Sequence, residues 1–187
     1  MRVVPTALPG VLVIEPAVHR DPRGFFVETF HADRYAAAGI PRDFVQDNES
    51  RSTRGTVRGL HAQLGRPQGK LVRALEGEIF DVVVDVRRGS PTFARWIGVH
   101  LSAEEFNQIW VPIGFAHGIC VLSEAARIAY KCTDVYDASD ELRLAWNDPD
   151  IGVEWPVAEP ILSDKDKDAL PLSAWMERLP RYEAPSR

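Results

Sequence analysis

The side chains able to do chemistry in this sequence are a few cations and histidines set beside glycines. Arg58 and His61 share the run Arg58-Gly59-Leu60-His61, and Lys70 follows a Pro/Gly-rich loop. Arg23 lies in the turn Asp21-Pro22-Arg23-Gly24, and Lys165 in Ser163-Asp164-Lys165-Asp166. A guanidinium matches phosphate oxygens through its planar fork and an ammonium adds a point charge, so the set suits an anionic ligand. Taken singly, each also fits a solvated surface charge; a place beside glycines and strand ends is what makes it a candidate. His61 is the natural proton-handling residue, because imidazole exchanges its proton near ambient pH. His117, in Pro112-Ile113-Gly114-Phe115-Ala116-His117-Gly118, is the second candidate. Both are also consistent with histidines satisfied in a core or at a strand end. His19, His31 and His100 have no such context and read as surface or packing residues.

Strands must position these groups. The segments Gly10–Val18, Gly24–Phe30, Thr56–His61, Lys70–Leu75, Glu78–Val86, Phe93–Leu101, Gln108–Val111, Gly118–Leu122 and Arg127–Tyr136 are short, rich in Val, Ile and aromatics, and punctuated by Gly, Pro, Asp or Ser. In Glu78–Val86 one face carries Phe80, Val82, Val84 and Val86, and the other Ile79, Asp81, Val83 and Asp85, so the second face lines something partly polar. Tyr130 and Tyr136 share a parity; on a regular strand they stand roughly 20 Å apart, which suits the two ends of an extended ligand. Helical signals are few: Asp33–Ala38 ended by Gly39, a capped turn at Ser102-Ala103-Glu104-Glu105, and a cap at Ser163. Many short strands without long alternating helices predict an all-β sandwich or barrel with a few short peripheral helices.

The chain has 187 residues, which predicts one domain with a frayed tail at 181–187. It carries 22 Lys+Arg against 27 Asp+Glu, a net charge of −5. Without a basic stretch, nonspecific binding of nucleic acid is disfavoured, and an anionic ligand must be held by a few placed cations. No stretch approaches the roughly 20 apolar residues of a membrane span, and the start lacks a leader-like apolar segment, so the expected location is cytoplasmic. Cys120 and Cys132 lie in apolar stretches and are expected to be reduced core residues. Gln63 stands two residues after His61, so an H-x-H pair is missing, and neither a Cys/His cluster nor a Gly-rich phosphate loop replaces it. A bound metal is not expected.

Several segments, in order, resemble one family. They are Asp21-Pro22-Arg23-Gly24-Phe25-Phe26-Val27-Glu28, Gln46-Asp47-Asn48-Glu49-Ser50, Arg58-Gly59-Leu60-His61, Gly77-Glu78-Ile79-Phe80-Asp81-Val82, Pro112 to Gly118, Tyr130-Lys131, Trp146-Asn147-Asp148-Pro149 and Leu162-Ser163-Asp164-Lys165-Asp166. The ordered set is similar to the dTDP-4-dehydrorhamnose 3,5-epimerase family over about residues 10 to 170. The resemblance implies a cupin-like jelly roll, a homodimer, and epimerisation of a dTDP-4-keto-6-deoxyhexose at the carbons flanking its C4 ketone, without metal or organic cofactor. By the same resemblance His61 is the general base, oriented by Asp166, and Tyr130 the acid on the opposite face. Lys70 and His117 stand near the C4 oxygen.

Arg23, Glu28, Gln46, Asp47, Asn48 and Arg58 correspond to nucleotide-sugar contacts, with Arg23 and Arg58 suited to the diphosphate. Tyr136 corresponds to the residue that stacks on thymine, and Glu141 and Lys165 to further substrate contacts. Arg58 and His61 have opposite strand parity, so the strand must break its alternation if both are to reach one ligand. Ala62 stands where an aromatic is common, and Leu142-Arg143 where two glycines are common. A C3-only or C5-only epimerase shares the same base and acid, and a noncatalytic sugar- or nucleotide-binding cupin is the alternative of another class.

Overall fold

In the computed structural model, which describes residues 1–184, two antiparallel sheets face each other with short helices at their edges. One sheet has six strands in the order β1 (Arg2–Pro5), β2 (Leu12–Glu15), β10 (Gln108–Val111), β7 (Lys70–Glu76), β12 (Ala125–Cys132) and β5 (Gln46–Thr53). The other has five: β13 (Glu141–Arg143), β6 (Val57–Gln63), β11 (Phe115–Val121), β8 (Glu78–Asp85) and β9 (Trp96–Ser102). A separate hairpin pairs β3 (Val18–Asp21) with β4 (Gly24–Val27). The helices are α1 (Ala32–Ala37) and α2 (Asp164–Lys167).

The two-residue period of β8 explains the layering. Its Ile79 and Val83 join Val72, Ile109, Ile119 and Ile128 in the core between the sheets. Its Val82 and Val84 face the other way, into a second cluster closed by Leu142, Leu144, Leu172 and Leu179. Burying each such side chain stabilises the fold by about 1.5–3 kcal/mol. A third cluster, with Ile14, Leu71 and Trp110, is covered by Tyr35 of α1 and by Ile40. Gly39, at φ 84°, turns the chain out of α1. Cys120 and Cys132 are buried and free.

The structure departs from the sequence expectation in five places. Gly10–Val18 is two strands, because Pro16, between β2 and β3, has no N–H to continue the ladder. β5 was not expected, since Gln46–Thr53 has no apolar residue; its polar side chains still alternate between partly buried and exposed along its length. The strand expected to reach Tyr136 ends at Cys132, where Gln68 donates to the Asp134 carbonyl at 2.7 Å and the Asp134 carboxylate accepts from the Val135 N–H at 2.7 Å. Ser102–Glu105 is a turn rather than a helix: Asn107 accepts from the Ser102 N–H at 2.9 Å and donates to the His100 carbonyl at 2.7 Å, folding the segment back on β9. The tail expected to fray is tied down at its start, with the Tyr182 N–H donating to the Arg88 carbonyl at 2.9 Å. Residues 185–187 of that tail lie outside the described residues.

The parity conflict between Arg58 and His61 is resolved at the β6–β11 junction. His117 stands opposite His61, but Ile119 stands opposite Arg58, so three steps on β6 match two on β11. The strands meet closely there: a Cβ on Gly59, whose φ is 112°, would lie 2.6 Å from the Cα of Gly118. A Cβ on Gly118 would lie 2.8 Å from the Arg58 carbonyl oxygen and 3.1 Å from Leu60 Cδ2. Gly118→Ala should therefore lower the unfolding free energy by about 1–3 kcal/mol in urea denaturation. An unchanged midpoint would show that the two backbones can separate freely.

Candidate functional site

A cavity of about 370 Å³ opens between the two sheets. From the five-stranded sheet β6 contributes His61 and Arg58, and β11 contributes His117; from the six-stranded sheet β7 contributes Lys70, β12 Tyr130, and β5 Gln46 and Asn48. Tyr136, Glu141, Lys165 and Asp166 close its rim. His61 and Tyr130 thus enter one cavity from facing sheets, whose typical separation of about 10 Å leaves room for a sugar ring.

His61 is held from the C-terminal side of the chain. Its Nε2 lies 2.6 Å from Asp166 Oδ1, and Asp166 is only 3% exposed. Ser163 caps α2: its hydroxyl accepts from the Asp166 N–H at 3.3 Å and donates to Asp166 Oδ2 at 2.8 Å, so both carboxylate oxygens are used. Burial acts to raise the Asp166 carboxyl, but the His61 hydrogen bond and charge, with Ser163 and Lys165, hold it below the ordinary 3.8. An ionised Asp166 accepts the Nε2 hydrogen, which leaves the Nδ1 lone pair as the basic position. Glu141 Oε1 stands 3.8 Å from Nδ1, where it can stabilise the imidazolium once a proton arrives, and Lys165 Nζ lies 3.1 Å from the same oxygen.

Across the cavity the charges are unusual for a half-buried surface. Burial lowers the Lys70 ammonium, and among the described residues no acceptor is hydrogen-bonded to it. Burial, first, and then Cys132 raise the Tyr130 phenol above its ordinary 10.0, so it keeps its proton at neutral pH. His117 Nε2 lies 2.8 Å from Oδ2 of Asp81, which is wholly buried. Asp81 stands outside the site residues expected from the sequence; its signal there is an acid between Ile79 and Val83 on one face of β8.

The outer contacts divide. Arg58 reaches the mouth with Nε 2.9 Å from Ser52 Oγ, and Gln46 is tied to its neighbours by Nε2–Asn48 Oδ1 at 2.9 Å and by accepting the Tyr136 N–H at 2.8 Å. Tyr136 stands at the rim off a turned chain, so the straight-strand separation from Tyr130 does not apply. Asp47 has the opposite parity on β5 and points away, pairing with Lys131 at 2.9 Å. Arg23, on the β3–β4 turn, pairs with Asp21 at 2.6 Å with its side chain 90% exposed, and Glu28 pairs with Arg34. None of these three lines the cavity of its own chain. No group of three or more His, Cys, Asp or Glu side chains among the described residues is placed to hold a metal ion.

Comparison with known proteins agrees with this geometry. A family profile described as dTDP-4-dehydrorhamnose 3,5-epimerase matches residues 5–174. A dTDP-4-dehydrorhamnose 3,5-epimerase of Shigella flexneri is 52% identical over 168 residues, 89% of this chain and 93% of that one. The crystal structure of dTDP-6-deoxy-D-glucose-3,5-epimerase RmlC from Legionella pneumophila in complex with dTDP-4-keto-L-rhamnose superposes with a TM-score of 0.95 at 49% identity, covering 98% of this chain and 99% of that one. A dTDP-4-dehydrorhamnose 3-epimerase of Streptomyces niveus is 39% identical over 175 residues, 92% of this chain and 84% of that one. The two facing sheets are the cupin-like jelly roll that the sequence resemblance implied. With residues 5–174 matched and identity near one half, the chain belongs to the dTDP-4-dehydrorhamnose 3,5-epimerase family.

Proposed function

We propose that this protein, as one jelly-roll domain, inverts C3 and C5 of a dTDP-4-keto-6-deoxyhexose, converting dTDP-4-dehydro-6-deoxyglucose to dTDP-4-dehydrorhamnose. The observation that carries the reading is that His61, braced by Asp166, and the protonated phenol of Tyr130 enter one cavity from opposite sheets. The C4 ketone acidifies hydrogens on both neighbouring carbons. His61 Nδ1 takes such a hydrogen, and the electron pair moves onto the C4 oxygen. Lys70 and His117 stabilise that developing enolate, a contribution that typically lowers a barrier by a few kcal/mol. Tyr130 then delivers its proton to the other face of the carbon. Each inversion leaves His61 with one proton more and Tyr130 with one fewer, and exchange with water restores both.

Arg58 supports binding of the diphosphate, and the rim ring of Tyr136 supports stacking with thymine. The exposed Phe25 and Phe26, at 58% and 70%, support a homodimer in which the β3–β4 hairpin is covered by the partner, together with Arg23 and Glu28. Two free buried cysteines agree with a cytoplasmic setting. A C3-only epimerase is the second reading, since a 39%-identical relative is a 3-epimerase and the small Ala62 is among the residues that line the cavity.

Turnover in D₂O followed by position-resolved NMR should place deuterium at both C3 and C5. Label at C3 alone selects the second reading, and label at neither rejects epimerisation. His61→Ala should cut exchange by about 10³-fold or more while dTDP still binds; wild-type turnover would remove His61 as base. Asp166→Asn, which disturbs the tautomer but not the shape, should cost a factor approaching 10⁴ in kcat. Because burial lowers Lys70, its charge is lost at a pH below its ordinary 10.5, so kcat should fall on the alkaline side before that pH. Burial shifts the Tyr130 phenol the other way, above its ordinary 10.0, so loss of its proton is displaced to higher pH. Lys70→Arg should move the limb upward, and an unmoved limb would assign it to another group.

A further inference from the structure

The cavity is lined by a second imidazole that pairs with a buried carboxylate behind it. His117 is cross-strand from His61, and its Nε2 is 2.8 Å from Asp81 Oδ2. Asp81 is 0% exposed, and its Oδ1 is one of two buried side-chain polar atoms among the described residues without a hydrogen-bond partner. An ionised carboxylate with one bare oxygen in that position is costly, and taking up one further proton by the pair relieves the cost. Lys70 of β7 is the nearby cation that acts on Asp81 besides His117, and His61 of β6 is already committed to Asp166.

Resting on the epimerase reading above, we propose that Asp81 is a positioning residue: it shares one proton with His117 across the Nε2–Oδ2 bond and so keeps a hydrogen on His117 Nδ1, aimed at the C4 oxygen of the sugar. Whichever side of the bond holds the shared proton, Nδ1 remains a donor. Among the described residues His117 Nδ1 has no protein partner, and His117 lines the cavity, so this donor is free for the ligand. Without the shared proton, Nε2 would carry the only hydrogen and Nδ1 would present a lone pair to a developing enolate. The hydrogen stays on His117 throughout; it stabilises charge and is not transferred. The two histidines, opposite each other on β6 and β11, thus present opposite characters to the substrate, one accepting and one donating, because each has its own buried aspartate.

Two variants and one spectrum test this. In the wild type at pH 7, ¹⁵N-edited NMR should find a hydrogen on His117 Nδ1. Asp81→Val, apolar like its neighbours Ile79 and Val83, should lower kcat by about 10²- to 10³-fold with KM for the nucleotide sugar changed by less than about threefold. Asp81→Asn, whose amide donates to Nε2 as a neutral carboxyl would, should restore kcat to within about tenfold of the wild type. A bare Nδ1 in the wild type overturns the proposal, as does an Asp81→Val enzyme with wild-type kcat or one that loses dTDP affinity in proportion to kcat. If Asp81→Val does not fold, the wild-type spectrum and Asp81→Asn decide. If the wild type exchanges no hydrogen with a 4-keto sugar, the epimerase reading falls, while the His117 spectrum still decides whether Asp81 sets its protonation.

Discussion

The hydrogen bond between His61 Nε2 and Asp166 Oδ1 is the contact on which the site depends. It joins the middle of β6 to a four-residue helix more than a hundred positions later, |i−j| = 105. So short a helix has little stability of its own, and its placement comes from the Ser163 cap and from this bond. The bond in turn gives the imidazole one tautomer and one direction. Docking of α2 and orientation of the imidazole are therefore the same physical event, with the two oxygens of the buried Asp166 divided between His61 and Ser163.

The facing sheets supply what one sheet cannot. Side chains on a single sheet face approach a ligand from one side, whereas inversion at carbon needs a proton acceptor and a proton donor on opposite sides. In the proposed reaction His61 on β6 and Tyr130 on β12 meet that need, because polar side chains replace Ile and Val on the inner faces around the cavity. The replacement is seen within single strands: β8 runs from Ile79 through Asp81 to Val83, and β12 from Ile128 to Tyr130. The apolar members hold the sheets together, and the polar members between them are desolvated enough to act strongly. That burial makes the Lys70 ammonium give up its proton more readily than an exposed lysine and makes the Tyr130 phenol hold its proton more firmly.

Much of this was legible in the sequence where apolar residues recur with period two. The strands from Lys70, Glu78 and Gln108 stand close to where that pattern places them. β5 was invisible as a strand, because Gln46–Thr53 is wholly polar and its alternation appears only against a partner. The same strand decides that Gln46 and Asn48 face the cavity while Asp47 does not. Arg23 and Glu28 matched a family motif, yet in their own chain they pair with Asp21 and Arg34 outside the cavity, a placement that local sequence cannot express.

The sequence by itself determined the chemical inventory: imidazoles, phenols and a few placed cations, on a strand-rich chain to hold them. The family resemblance already pairs Asp166 with His61, but only the tertiary structure decided that Asp81 serves His117, since many acids are available and none is a sequence neighbour. It also decided that Arg58 and His61 share a cavity. Strand parity is a local rule that separates them, and the one-residue slip against β11, made where Gly59 and Gly118 meet without side chains, is a long-range contact that overrides it.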